Sequence, residues 1–339
     1  MLVSITILQY TTARRTKNVK RVYFKHISSI KNMKLSLYKN PTVLALSAAC
    51  ISGVSIFINK FAATSLQDPI LFAGLKNTMV ALCLVGIVLA YSKKEELGTI
   101  SKKQWGQLVL IGLIGGAIPF GLFFTGLNMI PAINGAMIHK TLFIWVALLA
   151  IFFLREQLSP LQWLGVSLLF ASNLVIGGFG GFTGSTGELL VFSATLFWAV
   201  EHLLAKKMLG ELSVHIVASG RMLFGSIFLG IFLAVTGRLS GLGDMTSIST
   251  LWTALTGIFL LGYVVTWYSA LKYAPVAYVA TLLVPATLVT NILTAVFITG
   301  TLTETQALSG FLMILGTTCI IFFMRHSGTI TTSKIAVTG

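Results

Sequence analysis

A histidine and a lysine lie side by side in a stretch of chain that is apolar enough to cross a membrane. The stretch runs from 132 to 154, and His139 and Lys140 lie about eight residues from its start. At 1.5 Å per helical residue, Lys140 would lie roughly 12 Å below one surface of a hydrocarbon layer about 30 Å thick. A charge there costs a few kcal/mol unless it meets a partner or water.

Two hypotheses account for this lysine. Lys140 either binds a carboxylate or phosphate in a cavity, or it forms a structural ion pair with another helix. His139 points about 100° away on a helix. It therefore contacts substrate or titrates in one interpretation, and packs against neighbouring helices in the other.

A second ionisable pair, Glu201 and His202, lies about five residues before the end of a later apolar run. Two roles suit Glu201: a proton carrier, since a partly buried carboxylate can titrate near neutral pH, or a counter-ion to a cation. The sequence offers three cations for the second role: Lys140, Arg221 and, at the membrane rim, Lys206. Trp198 precedes the pair by one helical turn and would line the same wall.

Further candidates are aromatic or polar. Tyr263 and Trp267, four residues apart, share a helix face and are suited to stacking on a substrate ring. An aromatic belt at the membrane surface is the alternative for Trp267 and the neighbouring Tyr268. Among the intramembrane amides, Asn291 is the best cavity candidate, and interhelical hydrogen bonds explain the other three: Asn59, Asn134 and Asn173. The predicted cavity set is therefore Lys140, His139, Trp198, Glu201, His202, Tyr263, Trp267 and Asn291.

The composition fixes the class of protein. The chain has 339 residues, of which 55% are hydrophobic and only 10% charged, whereas soluble domains are nearer a quarter charged. The net charge of +15 sits between apolar runs rather than in a patch, so nucleic acid is not an expected partner. No nucleotide-binding loop, catalytic motif or metal-ligand spacing is present, and the three cysteines lie in apolar runs. We therefore expect no enzyme, cofactor, metal site or disulfide.

Ten apolar runs have the length of a spanning helix. They are predicted at 42–62, 70–91, 105–127, 132–154, 160–178, 187–206, 215–236, 250–271, 275–299 and 305–324. Pro119 and Pro285 lie inside the third and ninth runs, where a proline frees a carbonyl and can kink the helix.

Charge distribution predicts the orientation. With both tails inside, nineteen of the 24 Lys and Arg residues fall on the inner side, which matches the positive-inside rule. We expect a multi-pass protein of a bacterial cytoplasmic membrane with cytosolic termini. The basic segment 1–41 is interpreted as a cytosolic tail or as the result of a natural start at Met33, with an organelle-targeting presequence as the alternative. Residues 325–339 would form a second cytosolic tail.

The chain also repeats itself. At an offset of 144 residues, TGLNMIP at 125–131 falls on SALKYAP at 269–275, and Lys140 falls on Val284. Lys76 and Arg221 pair at nearly the same offset, which favours a structural or gate-lining role for both. A glycine-rich linker at 179–186 separates the halves 42–178 and 187–324. Because each half has five spans, the second copy enters the membrane upside down, as in many secondary transporters.

These features resemble the EamA-type drug/metabolite transporter superfamily. The resemblance rests on Gly126-Leu127…Pro131 and Ala270-Leu271…Pro275, on the turns Leu158–Gly165 and Leu302–Gly310, and on Trp198-Ala199. Glu156 supplies the acidic residue that precedes the fifth helix in that family. The resemblance covers nearly the whole chain outside its tails, and it implies transport without specifying a substrate.

The expected function is therefore a secondary transporter of a small organic metabolite working by alternating access. Efflux of an amino acid or related compound is the leading hypothesis, driven by the substrate's own gradient or by protons through Glu201 or a histidine. A sugar-phosphate or nucleotide-sugar exchanger is the alternative within transport, and a non-transporting scaffold or receptor is the alternative of another class. The expected partners are a small molecule, the bilayer and, with coupling, protons; monomer and homodimer both stay open.

Overall fold

The computed structural model describes residues 39–65, 68–91, 94–176 and 181–326, and the regular elements in these ranges are all helical. Ten segments, numbered α1–α10, cross the molecule: α1 Pro41–Ser65, α2 Pro69–Tyr91, α3 Lys102–Leu127, α4 Ala132–Leu154, α5 Pro160–Ile176, α6 Thr186–Leu209, α7 Val214–Val235, α8 Ser247–Tyr273, α9 Val276–Thr299 and α10 Glu304–His326. A short α-helix, Lys94–Gly98, and a 3-10 helix, Arg238–Leu242, lie in the connections.

The predicted all-α membrane architecture is confirmed. In the described ranges, nine of these segments are long and apolar enough to span a bilayer, while α5 has 17 helical residues, or about 25 Å. Residues 1–38, 177–180 and 327–339 lie outside the described residues, and with them most of both tails and the start of the predicted linker. The interpretations of the tails and the domain boundaries stay predictions.

α3 and α8 begin three residues before their predicted starts and α6 begins one residue before, because the polar residues of a first turn carry no hydropathy signal. In each, the N-cap hydroxyl accepts a hydrogen bond from the backbone N–H three residues later, and the side chain of that later residue accepts one from the N–H of the N-cap residue. The capping pairs are Ser101 with Gln104 for α3, Ser185 with Glu188 for α6, and Thr246 with Ser249 for α8.

The helices pack in pairs that are preserved when the first five are exchanged with the last five. α1 packs on α8 as α6 packs on α3, and α1 packs on α9 as α6 packs on α4. The pairs α2–α7, α4–α9 and α5–α10 each consist of a helix and its own counterpart in the other repeat, so the exchange leaves them unchanged. Since five is an odd number of spans, the two copies run in opposite directions through the membrane. The chain thus consists of two inverted five-helix repeats.

The connections fall on two faces because successive helices alternate in direction. We call the face that carries the connections 155–159 and 274–275 the tail face, since both described termini end there. The opposite face, which carries the connections 128–131 and 300–303, is called the far face.

Three of the spanning segments are interrupted. α3 breaks at Ala117, two residues before Pro119, and α9 is interrupted between Thr281 and Ala286, next to Pro285. These two breaks lie where the prolines predicted kinks. α4 also breaks, at Thr141, and no proline signals it. The breaks in α4 and α9 occupy equivalent places in the two repeats.

Small residues bring α3 and α7 into backbone contact. A Cβ placed on Gly116 would lie 2.5 Å from the Cα of Gly225, and one placed on Gly112 would lie 2.8 Å from the Gly225 nitrogen. Gly86 in α2, by contrast, has no atom within 4 Å of such a position. The α3–α7 interface therefore depends on glycines, as small-residue membrane interfaces do.

We predict that Gly116→Ala destabilises the protein by about 1–3 kcal/mol, because the added methyl group must push two backbones apart. Gly86→Ala is the matched control, and we expect it to be neutral or stabilising by up to about 1 kcal/mol, since it only replaces a helical glycine. Thermal unfolding of the purified proteins in detergent measures both. Equal stability of the two variants would contradict the close approach.

Candidate functional site

A cleft opens between α4 and α9 at their breaks, with further walls from α1, α5, α6 and α8. It encloses about 150 Å³. A cavity of about that size can hold a small organic molecule such as benzene. The polar side chains in its lining are Ser52, His139, Lys140, Asn173, His202 and Thr287, and the apolar ones include Leu142, Phe143, Trp267, Leu283 and Val284.

Lys140 is the last helical residue before the α4 break, and it lines this cleft. Within the described part of the chain it forms no hydrogen bond and no ion pair. The structure therefore places an ammonium group without a counter-ion against the cleft, and it does not show the ion pair of the alternative hypothesis. Val284, its repeat partner, lines the same cleft from the α9 break.

His139 lies between the cleft and an aromatic cluster. Its ring contacts Trp198 at 4.9 Å and Phe123 at 5.3 Å between ring centroids. Its Nδ1 is buried and has no hydrogen-bond partner among the described residues. His139 thus packs against aromatic neighbours, as one hypothesis predicted, and also lines the cleft, as the other predicted.

Glu201 is buried beside the cleft, with an exposed fraction of 2%. Its Oε1 accepts a 2.5 Å hydrogen bond from the Tyr268 hydroxyl, and its Oε2 lies 2.9 Å from Nδ1 of His202. The Nε atom of Arg221 lies 4.0 Å from Oε1. Arg221 is therefore the cation that neutralises Glu201, rather than Lys140 or Lys206.

A backbone carbonyl anchors two of these side chains. The ring of Pro119 cannot accommodate the usual helical bond to the carbonyl four residues earlier, which is that of Gly115. The Gly115 oxygen instead accepts hydrogen bonds from Trp198 Nε1 and from an Arg221 guanidinium nitrogen, each at 3.0 Å. The break in α3 thus fixes both residues next to the cleft.

The aromatic pair of α8 lies in the protein interior. Trp267 lines the cleft, packs on His202 at 4.9 Å and stacks with Tyr263 at 6.1 Å between centroids. Trp267 and Tyr268 are 3% and 2% exposed. The alternative of an interfacial belt is therefore wrong for both, because the Tyr268 hydroxyl bonds Glu201 and the Trp267 ring packs on His202 and Tyr263 inside the bundle.

Trp198, Glu201 and Tyr263 lie beside the cleft without lining it, and two further candidates, Lys76 and Asn291, lie elsewhere. Lys76 donates to Asn59 Oδ1 at 3.2 Å and lies 4.2 Å above the Phe72 ring, away from the Glu201 cluster that holds Arg221. Lys76 and Arg221 therefore differ in environment, although they occupy equivalent positions in the two repeats. Asn291 is half-buried and is not in the cleft lining, where Asn173 lies instead. The sequence signal for Asn173 was only an amide within the apolar α5.

The cleft is closed on the tail face by contacts that the sequence did not suggest. The Glu156 carboxylate accepts hydrogen bonds from the N–H groups of Val276 at 2.7 Å and Ala277 at 3.0 Å, at the start of α9. Burial raises the pKa of this carboxyl, and the two N–H donors oppose that rise. The start of α9 is thereby tied to the end of α4.

Lys206 closes the same face from α6. Its ammonium donates to the carbonyls of Leu271 and Ala274, both at 2.6 Å. It therefore caps the end of α8 instead of extending to the surface, because those carbonyls have no N–H partners in the helix. Near the tail face, Leu142–Leu154 of α4 and Val276–Thr281 of α9 pack against each other. Toward the far face the two helices separate, so that Ala132–Lys140 of α4 packs on α6 and Ala286–Thr294 of α9 packs on α1. The described conformation is closed at the tail face.

We predict that Glu156→Ala lowers the free energy of unfolding by about 1–2 kcal/mol, because two buried N–H groups lose their acceptor. Glu96→Ala, on the same face in the short helix Lys94–Gly98, serves as the control and should change stability by less than about 0.5 kcal/mol. Thermal unfolding in detergent distinguishes the two. Equal melting temperatures would remove the capping role of Glu156.

Comparison with known proteins agrees with this architecture. The model of the EamA-like transporter family matches residues 40–178 and 185–322. The uncharacterized transporter YvbV of Bacillus subtilis is 29% identical over 199 residues, which cover 57% of this chain and 63% of that protein. An uncharacterized transporter of Synechocystis is 25% identical over 320 residues, covering 86% and 89% of the two chains. Mouse solute carrier family 35 member F6 matches 33% of each chain at 26% identity.

A solved crystal structure has the same fold, with a TM-score of 0.70 at 18% identity, covering 85% of this chain and 98% of the other. The two family matches together span most of the chain and coincide with its two inverted repeats. The chain therefore belongs to the EamA-like transporter family and is a multi-pass integral membrane transporter.

Proposed function

We propose that this protein is a secondary transporter that moves a small organic metabolite by alternating access through the cleft between α4 and α9. The observation that carries the proposal is the unpaired Lys140 ammonium in a cleft bounded by two broken helices. An intramembrane charge without a protein counter-ion is costly, and a bound anion would offset that cost. Broken helices at the interface of inverted repeats are where many transporters bind their substrates.

The leading substrate class is an amino acid or a related carboxylate. Lys140 is the one permanently charged side chain in the cleft lining as described, so the site has one positive charge to offer. A single carboxylate matches it, and Trp267, Leu283 and Val284 provide an apolar wall for the rest of such a molecule. Asn173 also lines the cleft, but its amide oxygen is enclosed and has no hydrogen-bond partner in the described residues.

An exchanger of sugar-phosphate or nucleotide-linked anions is the second candidate, favoured by the same ammonium. A phosphate monoester carries about two negative charges near neutral pH, and the described lining offers one fixed cation against them. This imbalance ranks the phosphate substrate below the carboxylate.

The proposed orientation places the tail face in the cytosol of a bacterial cell. Most Lys and Arg residues then lie on the cytosolic side. In that orientation the described conformation is closed to the cytosol, since Glu156 and Lys206 tie the inner helix ends together. Efflux would require these contacts to open so that substrate can enter from the cytosol.

Transport by reconstituted vesicles tests the proposal, with a panel of amino acids, simple carboxylates and sugar phosphates. We expect Lys140→Met to weaken the apparent affinity for the transported carboxylate by about 10- to 100-fold, the value of one charge-assisted hydrogen bond. Lys207→Met, at an exposed position on α6, is the matched control and should transport like the wild type.

Three results would count against the proposal. Wild-type affinity of Lys140→Met for every transported solute would remove the assigned site. Selective transport of sugar phosphates would favour the second candidate. No flux of any solute by the wild-type protein would favour a scaffold or receptor.

A further inference from the structure

We infer that His202 is the residue of the cleft that exchanges a proton with its water, and that Glu201 acts behind it as a positioning residue. The inference rests on the proposed transport function and adds to it a coupling: a proton bound at His202 accompanies a carboxylate bound at Lys140. The observations that carry it are the placement of one imidazole in the cleft lining and of one carboxylate directly behind it.

The two nitrogens of His202 have different surroundings. Nδ1 lies 2.9 Å from Glu201 Oε2, while Nε2 has no hydrogen-bond partner in the described residues and is not among their enclosed polar atoms. A carboxylate acceptor holds the hydrogen on Nδ1, which leaves the lone pair on Nε2. The ring lines the cleft, so the free Nε2 is the atom available to a proton arriving from cleft water.

Glu201 itself is poorly placed to exchange that proton. Both of its oxygens are occupied, by the Tyr268 hydroxyl and by His202, and it is not in the cleft lining. Its charge is instead directed at the imidazole, which would stabilise the protonated ring as an adjacent carboxylate does in other buried pairs. Of the two candidates named for proton coupling, the geometry thus favours the histidine.

His139 is the other imidazole in the cleft, and it lacks such support. No carboxylate is paired with it in the described residues, and its ring is enclosed by Phe123 and Trp198. A second positive charge on His139 would also face those on His202 and Lys140. One proton per cycle, on His202, is therefore the arrangement that the site accommodates.

The charged and titratable groups around His202 set the direction of coupling. Glu201 of the same helix and Arg221 of α7 balance each other, Tyr268 and Tyr263 of α8 are neutral phenols near neutral pH, and α4 presents His139 and Lys140. Protonating His202 therefore adds a positive charge to a cleft that already holds Lys140. A carboxylate binds more tightly to the protonated form, and by linkage it also favours proton uptake. Proton and carboxylate would then cross in the same direction.

The titration of His202 can be measured without any transport. Full-length protein with ¹⁵N-labelled histidine is placed in lipid nanodiscs, and its imidazole signals are recorded from pH 5 to 8, with His202→Asn used for assignment. We expect the His202 signal to show Nδ1–H at high pH and the doubly protonated ring at low pH. A His202 signal that stays unchanged over this range would overturn the inference.

Flux measurements test the coupling, with isocaproate, a carboxylate without an amino group, and L-leucine as the probes. We expect the wild-type initial rate to change about fivefold or more between pH 5.5 and 7.5, and a vesicle-entrapped pH dye to report protons moving with the probe. His202→Asn keeps a donor to Glu201, and we expect its flux at pH 5.5 to fall below that of the wild type, with less than about twofold pH dependence and no proton movement. His215→Gln, exposed at the start of α7, should match the wild type.

The outcomes separate the two proposals. Proton movement that persists in His202→Asn, or a pH dependence that follows His139→Gln instead, would overturn the role of His202 while leaving transport intact. If the wild-type protein carries neither probe nor any panel solute, the transport proposal fails, and the nanodisc titration alone then decides whether His202 exchanges protons.

Discussion

A backbone group freed inside a membrane must find a partner within the protein, because lipid offers none. This constraint governs the region around the cleft. α3, α4 and α9 are all interrupted, and the connection from α8 to α9 is only two residues long. Each interruption leaves carbonyl or N–H groups without helical partners. Trp198 and Arg221 bond the carbonyl freed in α3, and Glu156 and Lys206 bond the groups freed where α8 meets α9. These four side chains also hold the helices around the cleft.

The polar side chains in the bundle divide into two groups with different energetic roles. Glu201, Arg221, Tyr268 and the Gly115 carbonyl contact one another in the interior, so most of the cost of their burial is compensated by protein contacts, although Arg221 Nε has no hydrogen bond in the described residues. Lys140 has no such compensation among the described residues and borders open space. A symmetric scaffold therefore contains one asymmetric and unsatisfied charge, opposite Val284 of the second repeat.

The architecture could be predicted from the sequence because it depends on long apolar runs, proline positions and a repeat offset, which are all local features. The starts of α3 and α8 were predicted less well, since a capping pair such as Ser101 and Gln104 carries no hydropathy signal. The contacts of Glu156 and Lys206 could not be predicted, because their partners are remote along the chain. The break at Thr141 could not be predicted either, because no proline marks it. Trp267 and Tyr268 were ambiguous for a related reason: an amphipathic ring suits a membrane surface and a polar core equally well.

The break in α3 gives Pro119 an influence on a cleft that it does not line. By leaving the Gly115 oxygen free, it determines where Trp198 and the Arg221 guanidinium lie, and through them the surroundings of His139 and Glu201. Evolution could therefore retune the recognition properties of this protein by changing one residue of the scaffold, with every ligand-facing side chain retained. Relatives with identical cleft residues need not share a cargo if they differ at this proline.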